Sequence, residues 1–234
     1  MKTIIHFLSL LLLQISFDLS AENIGKNEAL VILKQINKKF ESKKLYVKAM
    51  AYSYSASDMN KSSDEGEMEF GISGSSMTQK FKDMLTVVES GKTLQIDTFE
   101  KSMILGQSGD KLKAVIDTGL LRGCKSIVLT RIGGTKLKLS LRMKENFETE
   151  LLEYEFDSTN YVLNKIVTYY NEYGYNMTVN EVKKMEINYL EIKNEIPNEF
   201  EMLQISDFVK SEKGEFQIVN KNYKNYSIIG KIEL

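Results

Sequence analysis

Residues 81–105, FKDMLTVVESGKTLQIDTFEKSMIL, decide the fold. They divide into three short strands joined by two tight turns, Ser90-Gly91-Lys92 and Phe99-Glu100-Lys101. Period-two geometry sets Met84, Thr86 and Val88 on one pleat face, Leu94 and Ile96 on one face of the next strand, and Met103 and Leu105 on one face of the third. Gly91 has no Cβ to clash in the left-handed turn that a short hairpin needs. The stretch predicts an antiparallel meander whose single apolar face is the core.

Composition sets the surrounding limits. A chain of 234 residues, 42% apolar and 27% charged, is long enough for a sizeable core, and one domain is expected. A net charge of −1 supplies no field that would draw nucleic acid or an anionic membrane. Arg122, Arg131 and Arg142 are the only arginines, so the residue best suited to clamp phosphate in two-pronged fashion is scarce.

The N-terminus reads as a secretory signal peptide over residues 1–21: a short basic start at Lys2, an apolar run from Ile4 to Phe17, and cleavage after Ala21. An N-terminal anchor is the alternative, but the run is shorter than the roughly 20 residues that span a bilayer. The mature chain is expected to be soluble and periplasmic. No cysteine stands at the cleavage site to accept a lipid.

Cys124 is the single cysteine, which leaves no intramolecular disulfide and no thiolate metal cluster; a buried structural thiol is expected rather than a reactive one. His6, the single histidine, lies inside the signal peptide, so the mature chain has no imidazole for a serine–histidine or cysteine–histidine pair or for the usual metal sites. No enzyme activity, no metal and no cofactor are expected. Glu148, Glu150, Glu153 and Glu155 could suggest paired catalytic carboxylates, but salt-bridged surface positions along the strands are the expected reading.

In chain order, residues 27–40 predict an amphipathic helix with Asn27 as its cap, Glu28 at its positive end, and Leu30, Leu33, Ile36 and Phe40 as its buried stripe. Residues 45–55 alternate, with Tyr46, Met50, Tyr52 and Tyr54 on one face and Val47, Ala49, Ala51 and Ser53 on the other. Residues 58–67 read as a polar exposed turn; its acidic cluster lacks the spacing of a calcium loop. Met68, Phe70 and Ile72 begin a strand, and after the Gly74-Ser75 turn Met77, Gln79 and Phe81 lead into the meander.

Residues 110–121 predict a short central helix from Leu112, Val115, Ile116 and Leu120, closed by Gly123. Residues 127–131 and 136–143 form a hairpin about Gly133-Gly134, with Leu137, Leu139, Leu141 and Met143 opposing Lys136, Lys138, Ser140 and Arg142. Residues 148–156, 161–170 and 183–192 add three strands before Pro197. Ser206 to Val209 reads as a helical turn, and residues 216–219 and 226–232 as final strands. Tyr223 and Tyr226, interleaved with Lys221 and Lys224, resemble a base-stacking pattern, but the neutral chain argues against nucleic acid. Sequons at Asn60, Asn176 and Asn225 matter only in a eukaryotic secretory pathway.

This order, with MEFGISG, TQKF, MLTVVESGKTLQID, KSMIL, KLKLSLRM, YVLNKIVTYY and MEINYLEIKNEIP, resembles the outer-membrane lipoprotein carrier family (LolA-like) and its lipid-binding relatives over residues 27–200. The VVESGKTLQID hairpin carries most of the resemblance. The family is rich in tryptophan around its pocket and has an arginine in an early strand tied to opening and closing. This chain has no tryptophan, and Lys80 and Lys82 are the cations of residues 71–82, which marks a divergent paralogue.

The resemblance implies an α+β fold: an unclosed antiparallel β half-barrel of about ten to eleven strands, with the N-terminal helix and the short central helix over its concave face. It would occupy residues 22–234 as a single domain, with 197–234 a C-terminal extension. It implies a transport chaperone, expected to be monomeric, that carries lipid or lipoprotein acyl chains between a membrane donor complex and an outer-membrane acceptor. Methionines suit such cargo because they adapt to irregular apolar ligands. The expected ligand-facing residues are Met68, Phe70, Met77, Phe81, Leu94, Ile96, Met103, Leu137, Leu139 and Leu141. Register decides which face each presents, since a slip of one residue flips it. The alternative is an exported interaction module with a dry core, and Leu139→Asp separates the two: it abolishes binding in a folded protein if the face is a pocket and unfolds the chain if it is core.

Overall fold

The computed structural model describes residues 20–107, 116–171, 182–212 and 215–229. Residues 1–19 of the expected signal peptide, and residues 110–115 of the expected central helix, lie outside the described residues, as does the sequon at Asn176.

The described residues from Ala21 to Ile229 supply thirteen strands to one open sheet. In chain order these are β1 (Ala21–Asn23), β2 (Lys44–Ser55), β3 (Asp64–Ser73), β4 (Ser76–Phe81), β5 (Met84–Glu89), β6 (Lys92–Asp97), β7 (Ser102–Gln107), β8 (Cys124–Gly133), β9 (Lys136–Met143), β10 (Thr149–Asp157), β11 (Leu163–Tyr170), β12 (Val182–Lys193) and, last, β15 (Ser227–Ile229). β13 (Val209–Glu212) and β14 (Glu215–Ile218) form a separate hairpin. The large sheet runs β1-β8-β9-β10-β11-β12-β2-β3-β4-β5-β6-β7-β15, antiparallel except where β15 lies parallel to β7. Among the described residues it stays open, with β1 and β15 as its edges.

Thirteen strands replace the expected ten to eleven. β1 and β15 are three residues each, too short to show a period, and they are strands because β8 and β7 offer them a ladder. β3 starts at Asp64, earlier than its apolar residues suggest, so the polar connection shrinks to residues 56–63. Pairing with β2 and the Lys48–Glu67 ion pair at 2.9 Å hold this polar start in the sheet.

The helix α1 (Lys26–Asn37) begins before the place an Asn27 cap would give it: Gly25 is the cap residue, and its carbonyl accepts from Ala29 N at 3.0 Å. Ala29, Ile32, Leu33 and Ile36 are its buried stripe, and Phe40 follows in a 3-10 turn (Lys38–Phe40). They pack on Leu45, Val47, Ile72, Ile127, Leu139, Leu141, Tyr154, Phe156 and Leu163. A helix of 12 residues is about 18 Å long, while seven strands from β8 to β3 would span about 29 Å if flat. Side chains from all seven strands share one contiguous core with α1, as a sheet curled around the helix provides. The face towards α1 is therefore the concave face.

No α-helix follows β7 among the described residues. What is seen there is a 3-10 turn (Thr118–Gly123), capped by the Asp117 side chain, which accepts from Gly119 N at 2.7 Å. Two glycines within six residues disfavour a regular helix. Asn37 ties this segment to α1: its amide donates to Ile116 O and accepts from Ile116 N, both at 2.9 Å.

The C-terminal segment packs on the convex face. Leu203, Ile205, Phe208, Val209, Phe216, Ile218, Tyr223, Tyr226 and Ile228 cover Val87, Leu94, Ile96, Met103 and Leu105. Thr78, fully buried, accepts from Leu203 N at 2.9 Å, and Glu89 Oε2 accepts from Ile205 N at 3.2 Å. Gly71 permits the crossing, because a Cβ there would sit 2.5 Å from Phe200 Cε1 and 2.8 Å from Met202 Sδ.

A candidate ligand-binding face

In the meander, the Ser90-Gly91 turn has φ of 50° and 80°, so the expected left-handed turn is present. Its register pairs Leu85 with Ile96 and Val87 with Leu94. Leu85 and Val87 therefore continue the buried convex face, and Met84, Thr86 and Val88 lie on the concave one. The β5 strand is apolar on both sides, which is why alternation alone could not choose between them.

The ten residues expected to face a ligand divide into three groups. Leu94, Ile96 and Met103 are fully buried on the convex face beneath the C-terminal segment. Leu139 and Leu141, fully buried, and Leu137, partly buried, lie on the concave face in the core beneath α1. Met68, Phe70, Met77 and Phe81 also lie on the concave face, each only half-buried.

This last group is contiguous. Pairing places Ala49, Met68, Phe81 and Met84 in one row across β2 to β5, and Leu45, Ile72, Met77 and Val88 in another. Cross-strand neighbours of this kind stand about 5 Å apart, in side-chain contact. Phe70 and Met77 touch the edge of the core under α1, whereas Met68 and Phe81 lie outside that core. Met84, which alternation had set on the same pleat face as Val88, extends the row; it was not among the expected ligand residues.

One end of the row is charged. The Lys82 stem lies over Gly66, its ammonium stands 5.6 Å from the Phe81 ring centre, and it pairs with Asp64. That hydrogen bond holds the Asp64 carboxyl below its usual range. Gln79 donates weakly to Met68 Sδ at 3.8 Å.

Behind the helix-covered half, the convex face is a ladder of ion pairs: Lys48 with Glu69, Lys138 with Glu153, Arg142 with Glu150, and Lys165 and Lys184 with Glu186. Two of the four carboxylates singled out in the sequence, Glu150 and Glu153, are thus held by cations across the sheet. Burial pushes the Glu186 carboxyl up, but hydrogen bonds from Lys165 at 2.7 Å and Lys184 at 3.2 Å outweigh it and leave the group lowered. Cys124 is buried, its thiol pushed up by that burial, with Sγ 3.7 Å from Met143 Sδ. Among the described residues no group of three or more His, Cys, Asp or Glu is placed to hold a metal ion, and no helix is long and apolar enough to cross a membrane.

No family profile matches the chain, and no curated protein matches it in sequence. Solved structures similar to it include an uncharacterized conserved protein from Thermus thermophilus, at 13% identity and a TM-score of 0.43, covering 71% of this chain and 86% of that one. A LolA superfamily protein from Nitrosomonas europaea matches at 11% identity and a TM-score of 0.33, over 78% of this chain and 97% of that one. A putative outer membrane lipoprotein-sorting protein domain from Vibrio parahaemolyticus matches at 10% identity and a TM-score of 0.29, with the same coverage. The structures that this chain is similar to thus include proteins of the LolA and lipoprotein-sorting class.

Proposed function

We propose that this protein is an exported, non-enzymatic carrier that shelters the acyl chains of a lipid or lipoprotein on its concave face and moves them through an aqueous space. The observation that carries this reading is the half-buried block of Met68, Phe70, Met77, Phe81 and Met84, which continues the core beyond the helix without a cover of its own among the described residues. Contiguous apolar surface beside a closed core is what an apolar ligand would complete. Thioether and aromatic side chains suit a flexible chain, because methionine repacks around irregular shapes.

The magnitude fits a carrier. Each methylene buried contributes about 0.8 kcal/mol, so about ten give about 8 kcal/mol before the cost of ordering the chain, which leaves binding reversible. The N-terminal pattern of residues 1–21 supports export, with hand-over to an outer-membrane acceptor as the role that the sequence resemblance implies.

Native mass spectrometry of protein purified from its own exported compartment, followed by extraction of bound molecules, tests the reading. Co-purifying acyl lipid at near-stoichiometric amounts is the expected result. A clean apo mass that takes up no added fatty-acyl probe would overturn it.

A further inference from the structure

The convex face carries a cleft of about 360 Å³ where the β5–β6 turn meets the C-terminal segment. Leu105, Ile205, Val209 and Phe216 give it an apolar lining, and Ser90, Ser206 and Ser211 line it as well. Two distant parts of the chain build it. The sheet supplies one wall, and the turn Ile205–Asp207 with the β13–β14 hairpin supplies the other.

Charge around the cleft is arranged unevenly. Glu89 and Lys92 are paired across the hairpin and point to the same face, yet they form no ion pair with each other. Glu89 Oε2 instead accepts from Ile205 N at 3.2 Å, an interaction that anchors the C-terminal segment. Lys210 is occupied by Glu212 at 3.0 Å. Lys92 is left without an ion-pair partner among the described residues, on the rim of an apolar cleft.

From this arrangement we infer a second ligand site, distinct from the concave face, that takes a small amphipathic carboxylate. Its apolar body lies on Leu105, Val209 and Phe216 and its carboxylate meets the Lys92 ammonium. The volume falls at the small end of ligand sites and admits a short-chain acid rather than a whole lipid. Occupancy would hold the C-terminal segment against the sheet, since the ligand touches both walls and would stabilise the joined state by mass action.

Titration of the isotopically labelled protein with octanoate, followed by amide NMR, tests this, with octanol as the uncharged comparison. Saturable shifts at Ser90, Lys92, Ser206 and Ser211 are expected, with octanol weaker by about tenfold and Lys92→Gln weakening octanoate by a similar factor, as for loss of one charge-assisted contact. Ser206→Leu, which fills the exposed rim without touching the core, is expected to remove these shifts while leaving any shifts at Met68 and Phe81. Octanoate shifts confined to the concave face would overturn the second site. So would equal binding of octanol, or undiminished binding by both folded variants.

Discussion

From β8 to β2 the concave face is closed by α1 and the convex face carries a ladder of ion pairs; from β4 to β7 the convex face is closed by the C-terminal segment and the described residues leave the concave face half-open. One continuous sheet is thus buried on opposite faces at its two ends, by opposite ends of the chain. A sheet needs one covered face to be stable, and the choice of face decides what the other can do. Where the free face carries Lys–Glu pairs it is finished surface. Where it carries Met68, Phe81 and Met84 it is surface that still gains from contact.

The strongest way to break this comparison is Leu139→Asp. Leu139 is fully buried under α1, so an unpaired carboxylate there is expected to cost more than about 4 kcal/mol, enough to unfold the chain. Circular dichroism melting checks it, and a native-like melt would mean that the helix-covered half is not a dry core. Leu94→Ala makes the same test on the opposite face: a loss of about 2–5 kcal/mol in urea unfolding is expected if the C-terminal segment truly closes over it. An effect below about 1 kcal/mol would mean that the segment is only loosely attached.

Much of this was legible in the sequence. The hairpins about Gly91 and Gly133-Gly134, the two faces of β2, and the helix near residues 27–40 follow from period and turn chemistry alone. The division between faces was not, because β5 has Leu85 and Val87 on one side and Met84 and Val88 on the other, and both sets are apolar. Leu94, Ile96 and Met103 showed the right alternation but gave no sign that residues more than a hundred positions later would cover them. Edge strands of three residues carry no period at all. Met84 lay in the deciding stretch, yet only register shows that it joins Phe81 across the hairpin.

Smaller effects sharpen the boundary between the halves. Asn37→Ala removes both hydrogen bonds to Ile116 and leaves backbone groups without partners, for an expected loss of about 1–3 kcal/mol in urea. A neutral result would detach the segment before the 3-10 turn from the helix-covered core. Glu186 gives a pH test. Its folded-state carboxyl is lowered by Lys165 and Lys184, so its stabilisation is present above the unfolded carboxylate value of about 4.3 and fades as pH falls through the lower folded value. The stability gap between wild type and Glu186→Gln is expected to shrink from neutral pH to about pH 3; a gap that widens with acid would reverse the sign assigned to the ladder.

The most direct measurement is binding of a fluorescent fatty-acyl probe to wild type and to Phe81→Asp, with the melting temperature of each recorded alongside. Phe81 is half-buried on the open concave half, so the variant is expected to stay folded within about 1–2 kcal/mol and to lose at least about tenfold in probe affinity. A folded Phe81→Asp protein that binds the probe as wild type does, or a wild type that shows no saturable binding, would contradict the claim that this half of the sheet is completed by an apolar ligand.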